Sequence, residues 1–331
     1  MRQCRWYCGL LLTLLFTASC ASTLPPPTST YSFDRRCLSV SPEWHRVPVS
    51  RSEQKQATSE SEREAAGTLY SSTAIHIADV TELLPLLNRM AKLEMAQAGQ
   101  VDVEHVRRKL ITRLQLATLE VSSLVAEIEC EVQRADEVQD RLKDIQTSRM
   151  TFQTTLGIIF GGLANVLSGG IGMATRAGDA GNIASVSGGA LEILFGTSAN
   201  FTKVRQDFSH PHNHLAPVWG NSSPLEFFSP RVWRFLTEPG SRELGGHSLR
   251  DVMLETWQEE GKLGESGSLR EKERKELLFG AGGIYDSEQL HVRETMLHQL
   301  ESSIQLMHQE LETLLREVLL RQAVEEETEG T

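Results

Sequence analysis

The chain has 331 residues, enough for two or three domains of ordinary size. Its 33 basic residues against 44 acidic ones give a net charge of −11, which argues against a nucleic-acid partner, because phosphate backbones demand a basic face. Hydrophobic residues make up 40% but aromatic ones only 6%, and that balance, rich in Leu, Glu, Gln and Arg, suits long helices better than a β-sandwich.

The N-terminus reads as a targeting segment. "MRQCRWYCG" carries Arg2 and Arg5, the apolar run "LLLTLLF" follows, and "TASCAS" closes the stretch at residues 17–22. A positive region, a short apolar core and a small-residue cleavage zone define a signal peptide over 1–19. The apolar run is about half the roughly 20 residues that cross a bilayer. Two cleavage readings compete: signal peptidase cuts after Ala21, or "TASC" is a lipobox. The latter resembles the signal of bacterial lipoproteins, in which Cys follows two small residues directly after the apolar core. Thr17 departs from that pattern, since the family usually has Leu there. The resemblance implies lipidation of Cys20, a membrane partner through the lipid, and a place in the cell envelope, at the outer membrane or cell surface. It identifies no family for the mature chain. Cys37 and Cys130 either pair or stay free thiols.

Residues 20–74 are expected to be a flexible tether, because "STLPPPTSTYSF" and "SRSEQKQATSESEREAAG" hold too little apolar surface to offset their ordering entropy. Helices are expected over 75–150. Asp79 with Glu82 has the spacing of a helix start, Pro85 marks a kink or first turn, and Gly99 ends that segment. A second helix starts at Asp102. Apolar residues recur at Leu110, Leu114, Ala117, Val121, Leu124, Ile128, Ala135, Val138, Leu142 and Ile145, a coiled-coil seam with Glu131 as its one polar intrusion. No Pro or Gly interrupts it from Val101 to Thr155, so one helix of roughly 110 Å is expected from 102 to 174.

Residues 151–208 read as a glycine-rich apolar hairpin with a return helix over 183–208. Small residues stand four apart at Gly157 and Gly161, at Ala164, Ser168 and Gly172, and at Gly181, Ser185 and Gly189, a spacing that lets backbones approach closely. The first arm gains about −4 kcal/mol of insertion energy from its large apolar residues, opposed by six glycines and Asn165. In the return arm Glu192 costs about 2.5–3.5 kcal/mol at a bilayer centre, so it requires either a water-filled lumen or burial in protein.

Residues 209–285 should form a small Pro- and aromatic-rich cap. Ser229 before Pro230, Ser248 with Asp251, and Ser268 with Glu271 predict helix starts there. The final helix, 286–325, opens at Asp286 and carries a heptad through Leu290, Leu297, Leu300, Ile304, Met307, Leu311, Leu314 and Val318, with an acidic tail at 326–331.

Chemistry is sparse. There is no Walker A loop, H-E-x-x-H, C-x-x-C or G-x-S-x-G. In "SHPHNHL", Pro211 excludes a helix, and an extended chain would set His210, His212 and His214 on one side as a metal site. The expected fold is all-α: an elongated antiparallel helical bundle or coiled coil with a glycine-rich hairpin tip and an irregular helical cap. The expected function is a non-enzymatic, lipid-anchored envelope scaffold without cofactor, whose glycine-rich hairpin contacts a membrane or a like subunit and whose helices associate with further copies or another protein. The alternatives are an oligomeric pore-forming protein, an analogy of layout to α-helical toxins, and a metal-dependent binding module.

Overall fold

The structure is a computed structural model that describes Cys37 and residues 65–96, 99–174, 204–220, 222–239 and 246–329. The fold is all-α, with one two-stranded sheet among the described residues. In chain order the elements are α1 (Ser72–Val80), α2 (Leu84–Met95), α3 (Gln100–Ala174), β1 (Arg205–Ser209), α4 (Leu215–Trp219), a 3-10 turn (Pro224–Glu226), α5 (Pro230–Thr237), α6 (Leu249–Glu259), α7 (Leu269–Phe279), β2 (Gly282–Asp286) and α8 (Ser287–Glu329). They fall into two compact units. One holds 136–208 and 283–291, and the other holds 31–135, 209–282 and 292–331, apart from the N-terminal residues.

Helix α3 runs for 75 residues, about 110 Å, as the unbroken seam predicts. Leu110, Leu114, Ala117, Val121, Leu124, Ile128 and Ala135 are buried along it, and Leu297, Leu300, Ile304, Met307, Leu311, Leu314 and Val318 are buried along α8. The two long helices pack together, so the heptad stripes of each become a shared core.

The ordered body starts earlier than the composition suggests. Residues 65–74, expected in the tether, include buried Ala66, Tyr70 and Ala74. The Ala66 N–H donates to Asn88 Oδ1 at 3.1 Å, and the Ser71 N–H donates to Glu317 Oε2 at 3.0 Å. The Ser71 hydroxyl accepts from the Ala74 N–H and caps α1. Asp79 and Glu82, expected at a helix start, therefore stand at a helix end, and Glu82 takes a left-handed φ of 62° in the turn to α2. Pro85 sits in the first turn of α2. Cys37 is bonded to Cys130 of α3 with Cα atoms 5.5 Å apart, so the N-terminal segment is pinned to the body inside the stretch expected to be free.

The return helix expected over 183–208 does not extend to its last residues. Arg205–Ser209 is a strand whose burial alternates, with Gln206 and Phe208 inward, and it pairs with Gly282–Asp286. Phe208 meets Tyr285 edge-on at 5.8 Å between ring centres. The segment before α8 thus supplies a strand, with Tyr285 buried against Phe208. Asp286 opens α8, its Oδ1 accepting the Gln289 N–H at 3.0 Å.

In the other unit the short helices start at the serines that the spacing marks. Ser229, Ser248 and Ser268 each accept a hydrogen bond from the third residue on, and the Ser248 N–H donates to the Asp251 carboxylate in return. The aromatic residues pack these helices together: Trp219 stacks on Phe279 at 4.8 Å, and Phe228 lies against Trp233 at 5.6 Å.

Candidate functional site

The chain immediately after β1 carries the three histidines, and all residues of the site lie in the unit holding 31–135, 209–282 and 292–331. The expected single-sided row of imidazoles does not form. The His210 N–H still donates to the Ala281 carbonyl at 2.9 Å, but the chain then bends through Pro211 and His212, and His214 has helical dihedrals as the residue before α4. The rings of His212 and His214 stand edge-to-face, 4.8 Å apart.

Asn213 fixes that bend. Its Nδ2 donates to the carbonyls of Leu278 at 2.9 Å and Gly280 at 2.8 Å, and its Oδ1 accepts from the Leu215 N–H at 3.2 Å and from Arg293 Nη1 at 3.1 Å. Arg293, from the start of α8, is fully buried. Its Nη1 also donates to the Leu278 carbonyl, and its Nη2 donates to Glu131 Oε2 at 2.8 Å. The other oxygen of Glu131 lies 2.7 Å from His214 Nδ1. An ionised carboxylate only accepts, so Nδ1 of His214 carries the proton and Nε2 faces away from Glu131.

Glu127, one helical turn before Glu131, meets that second nitrogen: its Oε2 is 3.6 Å from His214 Nε2, beyond direct hydrogen-bond distance. Neither His214 Nε2 nor Glu127 Oε1 has a hydrogen-bond partner, although His214 is 1% exposed and the Glu127 side chain 10%. His212 is half-buried, with its ring 4.7 Å from that of Phe227. One donor atom each from Glu127, His212 and His214 all lie within 4.8 Å of one another. A metal-capable set therefore exists among the described residues, with Glu127 in the place expected for His210.

The charges balance around His214. Burial opposes its protonation, but Glu131 and Glu127 outweigh burial and raise its pKa to about 9. For Glu131 burial acts the other way, and His214 and Arg293 together hold it below the usual carboxylate range. Burial and the Arg293 charge push His210 down to about 3, and burial and the His214 charge lower His212. Protonated His214 thus lies between Glu127 and Glu131, and Arg293 holds Glu131 from the other side.

This arrangement fixes the sign of the pH dependence. A histidine raised to about 9 contributes fully below its unfolded value near 6.5 and loses that contribution as pH rises through 9, while one held at about 3 costs stability as pH falls below 6.5. His76, raised by its hydrogen bond to Glu310, acts in the same direction as His214. In EDTA, unfolding stability should peak near pH 6.5 and fall by about 3 kcal/mol toward pH 9 from His214 alone. Urea titrations across that range should show His214→Gln flattening most of the alkaline limb. An unchanged limb would remove His214 from the account.

Gly157, Gly161, Ala164, Ser168 and Gly172 lie on the helix α3. Cys20, Gly181, Ser185, Gly189 and Glu192 fall outside the described residues. Among the described residues, no helix is long and apolar enough to cross a membrane. The residues missed from sequence are Glu127, Asn213 and Arg293. The chain matches no protein-family model, no curated protein and no solved structure.

Proposed function

We propose that the chain is a lipid-anchored envelope protein without catalytic activity, whose helical body serves as a scaffold for a protein partner or for copies of itself. The observation that supports this reading best is the Cys37–Cys130 disulfide, because such bonds persist in oxidising compartments, where a chain with a secretory signal is delivered. The lipobox supplies the anchor at Cys20. Cys20 lies 17 residues before Cys37, where the disulfide ties the chain to α3. The paired seams of α3 and α8 give a stiff body for that anchor to hold.

The pore-forming alternative draws on one observation, the unbroken passage of α3 through its small-residue positions to Ala174. Membrane extraction of wild type and Cys20→Ser separates the readings. The anchor reading expects wild type to need detergent and Cys20→Ser to appear in the soluble fraction. Retention of Cys20→Ser through carbonate would transfer the anchor to the glycine-rich stretch and favour the alternative. Release of wild type by salt alone would overturn both.

A further inference from the structure

We infer that Glu127, His212 and His214 bind one divalent transition-metal ion of the Zn²⁺ class, a site independent of how the chain is anchored. Three features of the geometry carry this. The donors are two imidazole nitrogens and a carboxylate oxygen, all within 4.8 Å of one another, and two imidazoles select Zn²⁺ over Mg²⁺ or Ca²⁺, which prefer all-oxygen shells. Donor atoms around a tetrahedral Zn²⁺ stand about 3.3 Å apart, given bonds of about 2.0–2.1 Å. The 3.6 Å between His214 Nε2 and Glu127 Oε2 is near that spacing, and the donor of half-buried His212 lies within 4.8 Å of both side chains' donors.

The second feature is the pair of buried polar atoms without a hydrogen-bond partner, His214 Nε2 and Glu127 Oε1, on the two side chains that face each other across the site. A buried polar atom left unpaired costs about 1–3 kcal/mol, and a metal ion here satisfies His214 Nε2 while Glu127 binds it through one carboxylate oxygen. The third is the support behind the ligand. His214 directs its other nitrogen to Glu131, and Arg293 holds Glu131 in turn, the carboxylate–histidine arrangement that fixes the ring and its tautomer for a metal. On binding, the proton on His214 Nε2 leaves to solvent and the metal takes its place, so the two carboxylates stay compensated. Three protein ligands leave a fourth position for water or a donor from a bound partner.

The test uses the untagged full-length protein in detergent, loaded with ZnCl₂, freed of excess by gel filtration and assayed by elemental mass spectrometry. Wild type and His210→Gln should retain about one Zn²⁺ per chain. His212→Ala and Glu127→Gln should bind at least tenfold more weakly, with unchanged far-ultraviolet circular dichroism; His212 is half-buried, so its loss leaves the fold intact. Co²⁺ in place of Zn²⁺ should give visible absorption that both variants lose. No retention by wild type, or equal retention by wild type, His212→Ala and Glu127→Gln, would overturn the site. Loss in His210→Gln with retention in Glu127→Gln would overturn this ligand set.

Discussion

Replacing Glu131 with alanine is expected to lower unfolding stability by about 3–5 kcal/mol, the cost of leaving a buried charge without its partner. Arg293 is fully buried and directs Nη2 at Glu131, leaving it only the neutral acceptors Asn213 Oδ1 and the Leu278 carbonyl once the carboxylate is gone. His214 loses the acceptor for its Nδ1 proton in the same step. The same network holds α3, α8 and the bend at Asn213, so the damage is not confined to one contact. Glu129→Ala, on the exposed side of the same turn, is the control and should stay within about 0.5 kcal/mol of wild type. Urea unfolding of both variants in EDTA gives the comparison. Equal midpoints would mean that the Glu131 cluster carries no net stability.

Breaking the Cys37–Cys130 disulfide should have an effect of similar size. The bond spans a sequence separation of 93, and chain-entropy arguments for a loop near 100 residues give about 4–5 kcal/mol of stabilisation through the unfolded state. Cys37→Ser, or wild type in reductant, should therefore unfold at a clearly lower denaturant concentration, and the two should coincide. Cys37→Ser should then show no further response to reductant. A wild-type midpoint that ignores reductant would contradict the bond or its contribution.

Much of the scaffold was legible because it rests on local rules. The seam from Leu110 onward and the heptad from Leu297 onward repeat with helical periodicity over many turns, and serine caps at Ser229, Ser248 and Ser268 depend on residues three apart. The start of the body and the strand at Arg205–Ser209 were not legible for the same reason. Burial of Ala66 and Tyr70 depends on α2 and α8 residues far along the chain, and β1 exists because β2 lies beside it.

The site was half written in the sequence. Glu131 stood out as a polar residue in an apolar seam, and counting back from Leu297 by four places Arg293 on the matching stripe of α8. Two opposite charges interrupting two stripes that pack together signal a buried pair, and that pair is what the structure holds at 2.8 Å. Nothing in the sequence joins Glu127 to His214, which lie far apart along the chain and meet only because Asn213 turns the histidine segment toward α3. The alternation of His210, His212 and His214 pointed to metal chemistry, but the bend at Pro211 and His212 breaks the extended chain which that reading needed, and the rings of His212 and His214 meet edge-to-face.

Whether a lipid at Cys20 holds this helical body to a membrane is read from mass spectrometry of the N-terminal peptide of the mature protein purified from its native membrane. The expected first residue is Cys20, carrying a diacylglyceryl thioether. An unmodified N-terminus at Ser22, or a peptide that retains residues 1–19, would contradict it.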